Sequence, residues 1–235
     1  IMADSKRDEK GLIPANAKDT TQKESNQRAK YTKTLTRLHL FIAPTIAFVV
    51  YALMSKFIPG QAELFKQKFE FINKYQLQYM YFAFYIFMIP RIYAMINSNA
   101  TRAPCRLDRP DQHIYKIQAK KTNKQFADAP YVLMDNEGVN GVFNRAQRAA
   151  FWLDENLTQM CCLCILTAPV FGPVILILSL LHAYGAIKFV QLYTSEFNAR
   201  RKVLIMALLP MFIMFGMVSV IAIKSTLPQM FSFLD

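Results

Sequence analysis

The sequence lacks the short motifs by which most soluble enzymes bind phosphates, metals or acyl groups. It contains no P-loop, no GxGxxG fingerprint, no HExxH pair, no nucleophile elbow and no visible internal repeat. Acidic residues are also scarce, because 16 Asp and Glu face 28 Lys and Arg and leave a net charge of +12. These absences argue against a nucleotide-dependent enzyme, a zinc protease and an α/β-hydrolase.

Cysteines are too few and too clustered for a disulfide framework or a zinc shell. Cys105 stands apart, and the other three share one apolar stretch as Cys161, Cys162 and Cys164. The CCxC pattern lacks the histidine or second cysteine pair that closes a zinc site. We therefore expect no metal site, and we interpret these cysteines as packing residues. The histidines 39 and 182 are expected to hydrogen-bond to backbone or neighbouring groups.

Long apolar runs, by contrast, are abundant. Hydrophobic residues make up 53% of the 235 residues, and a helix needs roughly 20 mostly apolar residues to cross a membrane. Five runs reach that length, at about 38–58, 76–96, 149–168, 169–193 and 203–223. The third contains Asp154 and Glu155, so one of its faces must look at protein or water. The sequence predicts an all-α membrane protein with five transmembrane helices.

The placement of basic residues supports this count. Five crossings put the N-terminal tail, the 97–148 connection and the 194–202 connection on one side, where most of the Lys and Arg then lie. Nucleic-acid binding would need a basic, lipid-free surface with aromatic platforms, and the sequence shows neither. We expect no nucleic-acid partner, and some attraction to the headgroups of anionic lipids.

Three segments lie outside a simple helical bundle. Residues 1–35 form a polar tail with few large apolar residues, so we expect it to be disordered. Residues 36–60 add a transmembrane helix before the main domain. The 97–145 loop is far longer than a helical hairpin needs, which indicates a functional or partner-binding loop. We expect Arg91, near the exit of the second run, to snorkel to the interface.

Polar and aromatic residues form a stripe at the start of the third run. Arg148, Trp152 and Glu155 recur at helical spacing and share one face, with the two charges about 10 Å apart along the axis. Such charges can clamp the two ends of a zwitterion. Alternatively, they pair with neighbouring helices or snorkel. At the end of the fourth run Tyr193 and Arg200 share a face, and the topology brings Arg200 to the same membrane side as Arg148.

These positions resemble a pattern of the MAPEG family, the membrane-associated proteins in eicosanoid and glutathione metabolism, over roughly residues 75–225. The second of the four family helices begins R-x-x-R-A-x-x-N-x-x-E, which lines up with Arg145, Arg148, Ala149, Trp152 and Glu155. The third family helix ends in two tyrosines four residues apart and an arginine seven further on, which fall on Phe189, Tyr193 and Arg200. The resemblance implies a four-helix bundle that trimerises, with glutathione sites between subunits.

The resemblance also assigns roles and marks departures. It implies glutathione binding by Arg148, Glu155 and Tyr193, and activation of the thiol by Arg200. Family members also use an asparagine and a first tyrosine, which are Trp152 and Phe189 here. Each polar group left unmatched costs on the order of 1 to 3 kcal/mol. We therefore expect no cofactor, or glutathione if the family activity is retained.

Two functions follow from these features. In the first, the protein is a non-catalytic accessory subunit of a larger membrane complex of respiratory-chain type, with other membrane subunits and lipids as partners. The mitochondrial inner membrane is then the favoured compartment. In the second, it is a glutathione transferase or peroxidase for a lipophilic substrate, with the endoplasmic reticulum as the alternative location. The additional N-terminal helix can cover the surface that family members use to form a homotrimer, so the oligomeric state stays open. A lipid or quinone site between helices is a third alternative, although aromatics at helical spacing are more typical of packing.

The topology is testable by thiol labelling. We predict that the N-terminus and the 97–148 connection lie on the same, positively charged side of the membrane. A membrane-impermeant thiol reagent should therefore reach Cys105 only from the side of the N-terminus. Serine at the other three cysteines removes the background. Labelling from the opposite side alone contradicts the five-crossing topology.

Overall fold

The computed structural model describes residues 20–102, 104–105, 137–196 and 198–231, and every regular element in this part of the chain is helical. The elements are α1 (Thr20–Arg37), a π-helical turn (Leu38–Ile42), α2 (Ala43–Phe57), α3 (Gln61–Lys74), α4 (Gln78–Thr101), α5 (Gly138–Ser195), a 3₁₀ turn (Asn198–Arg200) and α6 (Arg201–Phe231). Four stretches are long and apolar enough to cross a membrane: Arg28–Phe57, Gln78–Thr101, Gly138–Ser195 and Val203–Thr226. The chain is an all-α integral membrane protein.

Helix α5 is a hairpin. Its 58 residues would extend about 87 Å if straight, well beyond a hydrocarbon core of about 30 Å. Phe171 leaves helical geometry at φ −117° and ψ 28°, between Pro169 and Pro173. The rings of Trp152 and Phe189 nevertheless lie 4.4 Å apart, so the arms 138–170 and 172–195 run antiparallel. The chain therefore offers five apolar segments, with the third and fourth joined by a sharp turn.

Helices α4 and α6 complete the bundle by packing against the two arms of α5. One half of the core is formed by Ala83, Phe87, Met160, Leu163, Cys164, Ala168, Ile175, Leu178, Met211 and Met214. The other half is formed by Ala94, Ala149, Ala150, Leu153, Ala186, Phe189, Val190 and Tyr193. His182 lies at the second arm, where its Nδ1 donates to the carbonyl oxygen of Ala207 at 2.8 Å. The expectation that this histidine bonds to backbone is confirmed.

Glycine sets two close approaches in the bundle. A Cβ at Gly172 would lie 2.6 Å from the ring of Tyr79, so the α5 turn is covered by the start of α4. A Cβ at Gly185 would lie 2.6 Å from the backbone nitrogen of Ala207 and 2.8 Å from the oxygen of Met206. The second arm and α6 therefore touch backbone to backbone, as small residues permit in membrane bundles.

The N-terminal segment departs from expectation. Residues 20–35 belong to helix α1, so the expectation of disorder is wrong for them, whereas residues 1–19 lie outside the described part. Helix α1 packs along α4, where the guanidinium of Arg28 donates to Asn97 Oδ1 at 2.8 Å. Further along, His39 stacks on Tyr85 with ring centroids 4.5 Å apart. Tertiary contact, which composition does not reveal, orders this polar helix.

The long loop is shorter than predicted at both ends, because α4 continues to Thr101 and α5 begins at Gly138. Residues 106–136 lie outside the described part. Cys105 is only 5% exposed, and its Sγ lies 3.0 Å from the carbonyl oxygen of Val139. Val139 itself is 54% exposed, so cysteine at this position is the better reporter in the labelling test.

The contact at Gly185 predicts a large stability difference between two equivalent substitutions. Gly185→Ala should destabilise the bundle by about 1–3 kcal/mol or more, because the new methyl group meets backbone of α6 that cannot move aside. Gly216→Ala, whose Cβ meets nothing within 4 Å, should be neutral or stabilising by up to about 1 kcal/mol. Thermal unfolding in detergent compares the two. Equal Tm values would contradict the close packing of α5 and α6.

Candidate functional site

An aromatic stack joins the two arms of α5 at the position where the MAPEG resemblance places glutathione. The ring of Trp152 lies 4.4 Å from that of Phe189, which lies 5.5 Å from the ring of Tyr193. Phe189 and Tyr193 are 3% and 6% exposed. Alanines 149, 150 and 186 pack in the same cluster. These rings pack against one another between the arms, so Trp152 and Phe189 present aromatic carbon at the two positions where the family pattern has an amide and a hydroxyl.

Arg148 and Glu155 pair with each other. Nη1 of Arg148 donates to Oε1 of Glu155 at 2.6 Å, and Nη2 donates to Oε2 at 3.3 Å. Seven residues separate them, so the two long side chains meet across the intervening Trp152. Each side chain is about half exposed, at 52% and 54%. The two charges therefore pair with each other within the first arm rather than with a neighbouring helix.

Arg145, in the first arm of α5, caps the C-terminal end of the second arm. It is 8% exposed, and its guanidinium donates to the carbonyl oxygens of Thr194 at 3.1 Å and Ser195 at 3.3 Å. These are among the last carbonyls of the helix, which carry its partial negative charge and have no partner within the helix. The first arginine of the family-like pattern therefore acts here as a C-terminal cap that fastens the start of α5 to its end.

Asn97 connects three helical segments and was missed by the sequence interpretation. Its Nδ2 donates to Oγ1 of Thr194 at 2.8 Å, and its Oδ1 accepts from Arg28 at 2.8 Å. The adjacent Ser98 hydroxyl hydrogen-bonds to the Gln147 side chain in the first arm of α5. The predicted second run ended at residue 96, which placed this asparagine in a loop. A polar residue that continues the helical period beyond an apolar run is the signal that could have identified it.

Arg91 of α4 forms an ion pair with Asp154 of the first arm, and the two side chains are 31% and 41% exposed. The spacing of Arg91 along α4 brings it opposite this carboxylate, and its snorkelling to the interface stays a prediction. The sequence predicted that the face of the first arm bearing Asp154 contacts protein or water. The ion pair with Arg91 of α4 provides that protein contact.

Arg200 closes the 3₁₀ turn Asn198–Arg200, directly after the second arm ends beside Arg145. Its backbone therefore lies at the same end of the bundle as Arg148. Its side chain is outside the described part of the structure, so the convergence of these two arginines stays a prediction. Tyr193, the other residue that the resemblance assigns to glutathione, is buried against Phe189.

No group of three or more potential metal ligands occurs in the described part of the chain. Two grooves on the described surface, of about 430 and about 370 Å³, are lined by residues other than Arg148, Glu155 and Tyr193. Comparisons with protein families, with curated proteins and with solved structures found no match to this chain. The resemblance to MAPEG proteins therefore rests on its motif residues.

Asn97 provides a test of the polar junction. Asn97→Ala should destabilise the protein by about 1–3 kcal/mol, because it removes two hydrogen bonds between segments and leaves buried partners unmatched. Asn99→Ala is the control, since among the described residues Asn99 bonds only to the carbonyl of Met95 in its own helix. Unfolding in detergent measures both. If the two variants melt at the same temperature, Asn97 does not hold the junction together.

Proposed function

We propose that this protein is a MAPEG-like, non-catalytic accessory subunit of a larger membrane complex. The observation that carries the proposal is the stack of Trp152, Phe189 and Tyr193. A tripeptide held by these positions would place its polar groups against aromatic carbon. Such unmatched groups cost on the order of 1 to 3 kcal/mol each.

The charges of the same region also support a structural role. Arg148 is paired with Glu155, and Arg145 donates hydrogen bonds to carbonyl oxygens at the end of the second arm. A glutathione site needs a cation free to attract the thiolate or the carboxylates of the peptide. Arg145 instead joins the two arms of α5, whereas Arg148 pairs within the first arm, and removing either partner of that ion pair leaves an unpaired charge.

Helix α2 supports assembly with other subunits. None of its 15 residues is buried, and within the described part of the chain it packs chiefly beside the π-helical turn and α3. Phe48 is 74% and Phe57 69% exposed. The helix thus adds apolar surface that the bundle of α4, α5 and α6 does not use. We propose that membrane subunits and lipids cover this surface, in a complex of respiratory-chain type in the mitochondrial inner membrane.

The function is testable with glutathione and two back-substitutions. The purified chain should show no micromolar binding of glutathione by calorimetry and no conjugation of a standard electrophile. The variant Trp152→Asn with Phe189→Tyr restores the polar groups of the family pattern and opens the stack. It should gain measurable glutathione binding if these two residues are what excludes the ligand.

The alternative function, a glutathione transferase or peroxidase, makes the opposite prediction. Micromolar binding by the unaltered chain, or conjugation that disappears on Arg200→Ala, would overturn the proposal. Phe189→Tyr alone is a milder substitution that serves as the control for folding. Migration of the tagged full-length protein from its native membranes in an assembly larger than a homotrimer would agree with the accessory role.

A further inference from the structure

We propose that the groove between α3 and the start of α4 binds an anionic phospholipid. The groove has a volume of roughly 370 Å³. Its apolar wall consists of Leu64, Phe71, Ile72, Leu77 and Tyr81, and Lys68 stands among them. An apolar wall with one cation suits an acyl chain joined to a negatively charged headgroup, whereas a small soluble anion would leave the wall unused.

Helix α3 is amphipathic in a way that fits a membrane surface. Its apolar side chains occupy one half of the helix, and Glu63, Lys66, Glu70 and Lys74 occupy the other. Tyr51 of α2 covers part of the apolar half, with ring centroids 4.9 Å from Phe65 and 6.0 Å from Phe69. The remainder stays open, and Leu64 and Phe71 are 41% and 56% exposed.

Lys68 lies at the centre of that apolar half. Helical spacing places it between Leu64, Phe71 and Ile72, while Glu63 and Glu70 point from the opposite half. Among the described residues, Lys68 has no ion-pair or hydrogen-bond partner. A lysine inside an apolar face gains most from an anion at the level of the headgroups, with its own methylenes along the apolar wall.

The position of α3 along the chain places the groove at the interface. It follows the membrane segment that ends at Phe57 and precedes the one that begins at Gln78. Lysine and aromatic pairs stand at both its ends: Lys56 Nζ lies 5.5 Å from the centroid of Phe57, and Lys74 Nζ lies 5.6 Å from that of Tyr75. Such residues anchor helices at the membrane–water boundary.

Two substitutions of equal charge on one helix test the site. Lys68→Glu should weaken binding of phosphatidylglycerol to the purified full-length chain by at least about fivefold, as expected for losing one lysine next to an anionic lipid. Lys66→Glu makes the same change on the polar half and should alter binding less than about twofold. Native mass spectrometry counts bound lipid, and Tm values show whether each variant folds. Lys68→Gln replaces Lys68→Glu if the latter unfolds.

The headgroup is tested separately from the wall. Phosphatidylcholine should bind more weakly than phosphatidylglycerol, and millimolar inorganic phosphate should not displace the bound lipid. Equal binding of the two lipids, displacement by phosphate, unchanged binding in the Lys68 variant, or an equal loss in both lysine variants would each overturn the proposal. The outcome does not depend on whether the protein binds glutathione.

Discussion

The reversal of α5 at Phe171 is the constraint on which the rest of the structure depends. Two prolines flank this residue, and a single non-helical φ/ψ pair converts one long helix into two antiparallel arms. The reversal brings Trp152 to Phe189, and it brings Arg145 to the carbonyls of Thr194 and Ser195. Trp152 and Arg145 of the family-like pattern acquire these neighbours through the turn, so much of the geometry of the candidate site follows from it.

The polar groups in the half of the bundle opposite the turn are organised by pairing. In a membrane an unmatched charge or amide is expensive, and hydrogen bonds between helices hold segments together where the hydrophobic effect between helices is weak. Asn97 accordingly joins α1, α4 and the second arm of α5, and the two ion pairs join residues of α4 and α5 or of neighbouring turns. The same groups in a catalytic site would have to be left available for substrate. Their mutual satisfaction favours a structural role for this end of the molecule.

The sequence predicted the apolar segments well, because their length and the charges between them follow directly from the thickness of the bilayer. The resemblance to MAPEG proteins implied that Trp152 and Phe189 belong to one region, and their rings do lie in contact. Helical spacing left Arg148 and Glu155 about 10 Å apart along the axis, and the rotamers of the two long side chains close that distance. The polar composition of residues 20–35 predicted disorder, but they form α1. This helix packs on α4 through contacts such as the hydrogen bond from Arg28 to Asn97, about 70 residues away. Helix α3 was overlooked because it is too short and too charged to register as a membrane span.

The turn of α5 lies in the middle of a long charge-free stretch. Glu155 is 16 residues before Phe171 and Lys188 is 17 residues after it, so the charge-free part of either arm is about 24–25 Å long. Non-helical backbone in so apolar a segment is tolerated in a membrane only where protein covers it. Gly172 allows Gln76 and Tyr79 to do so, which explains why the start of α4 is pressed against the turn.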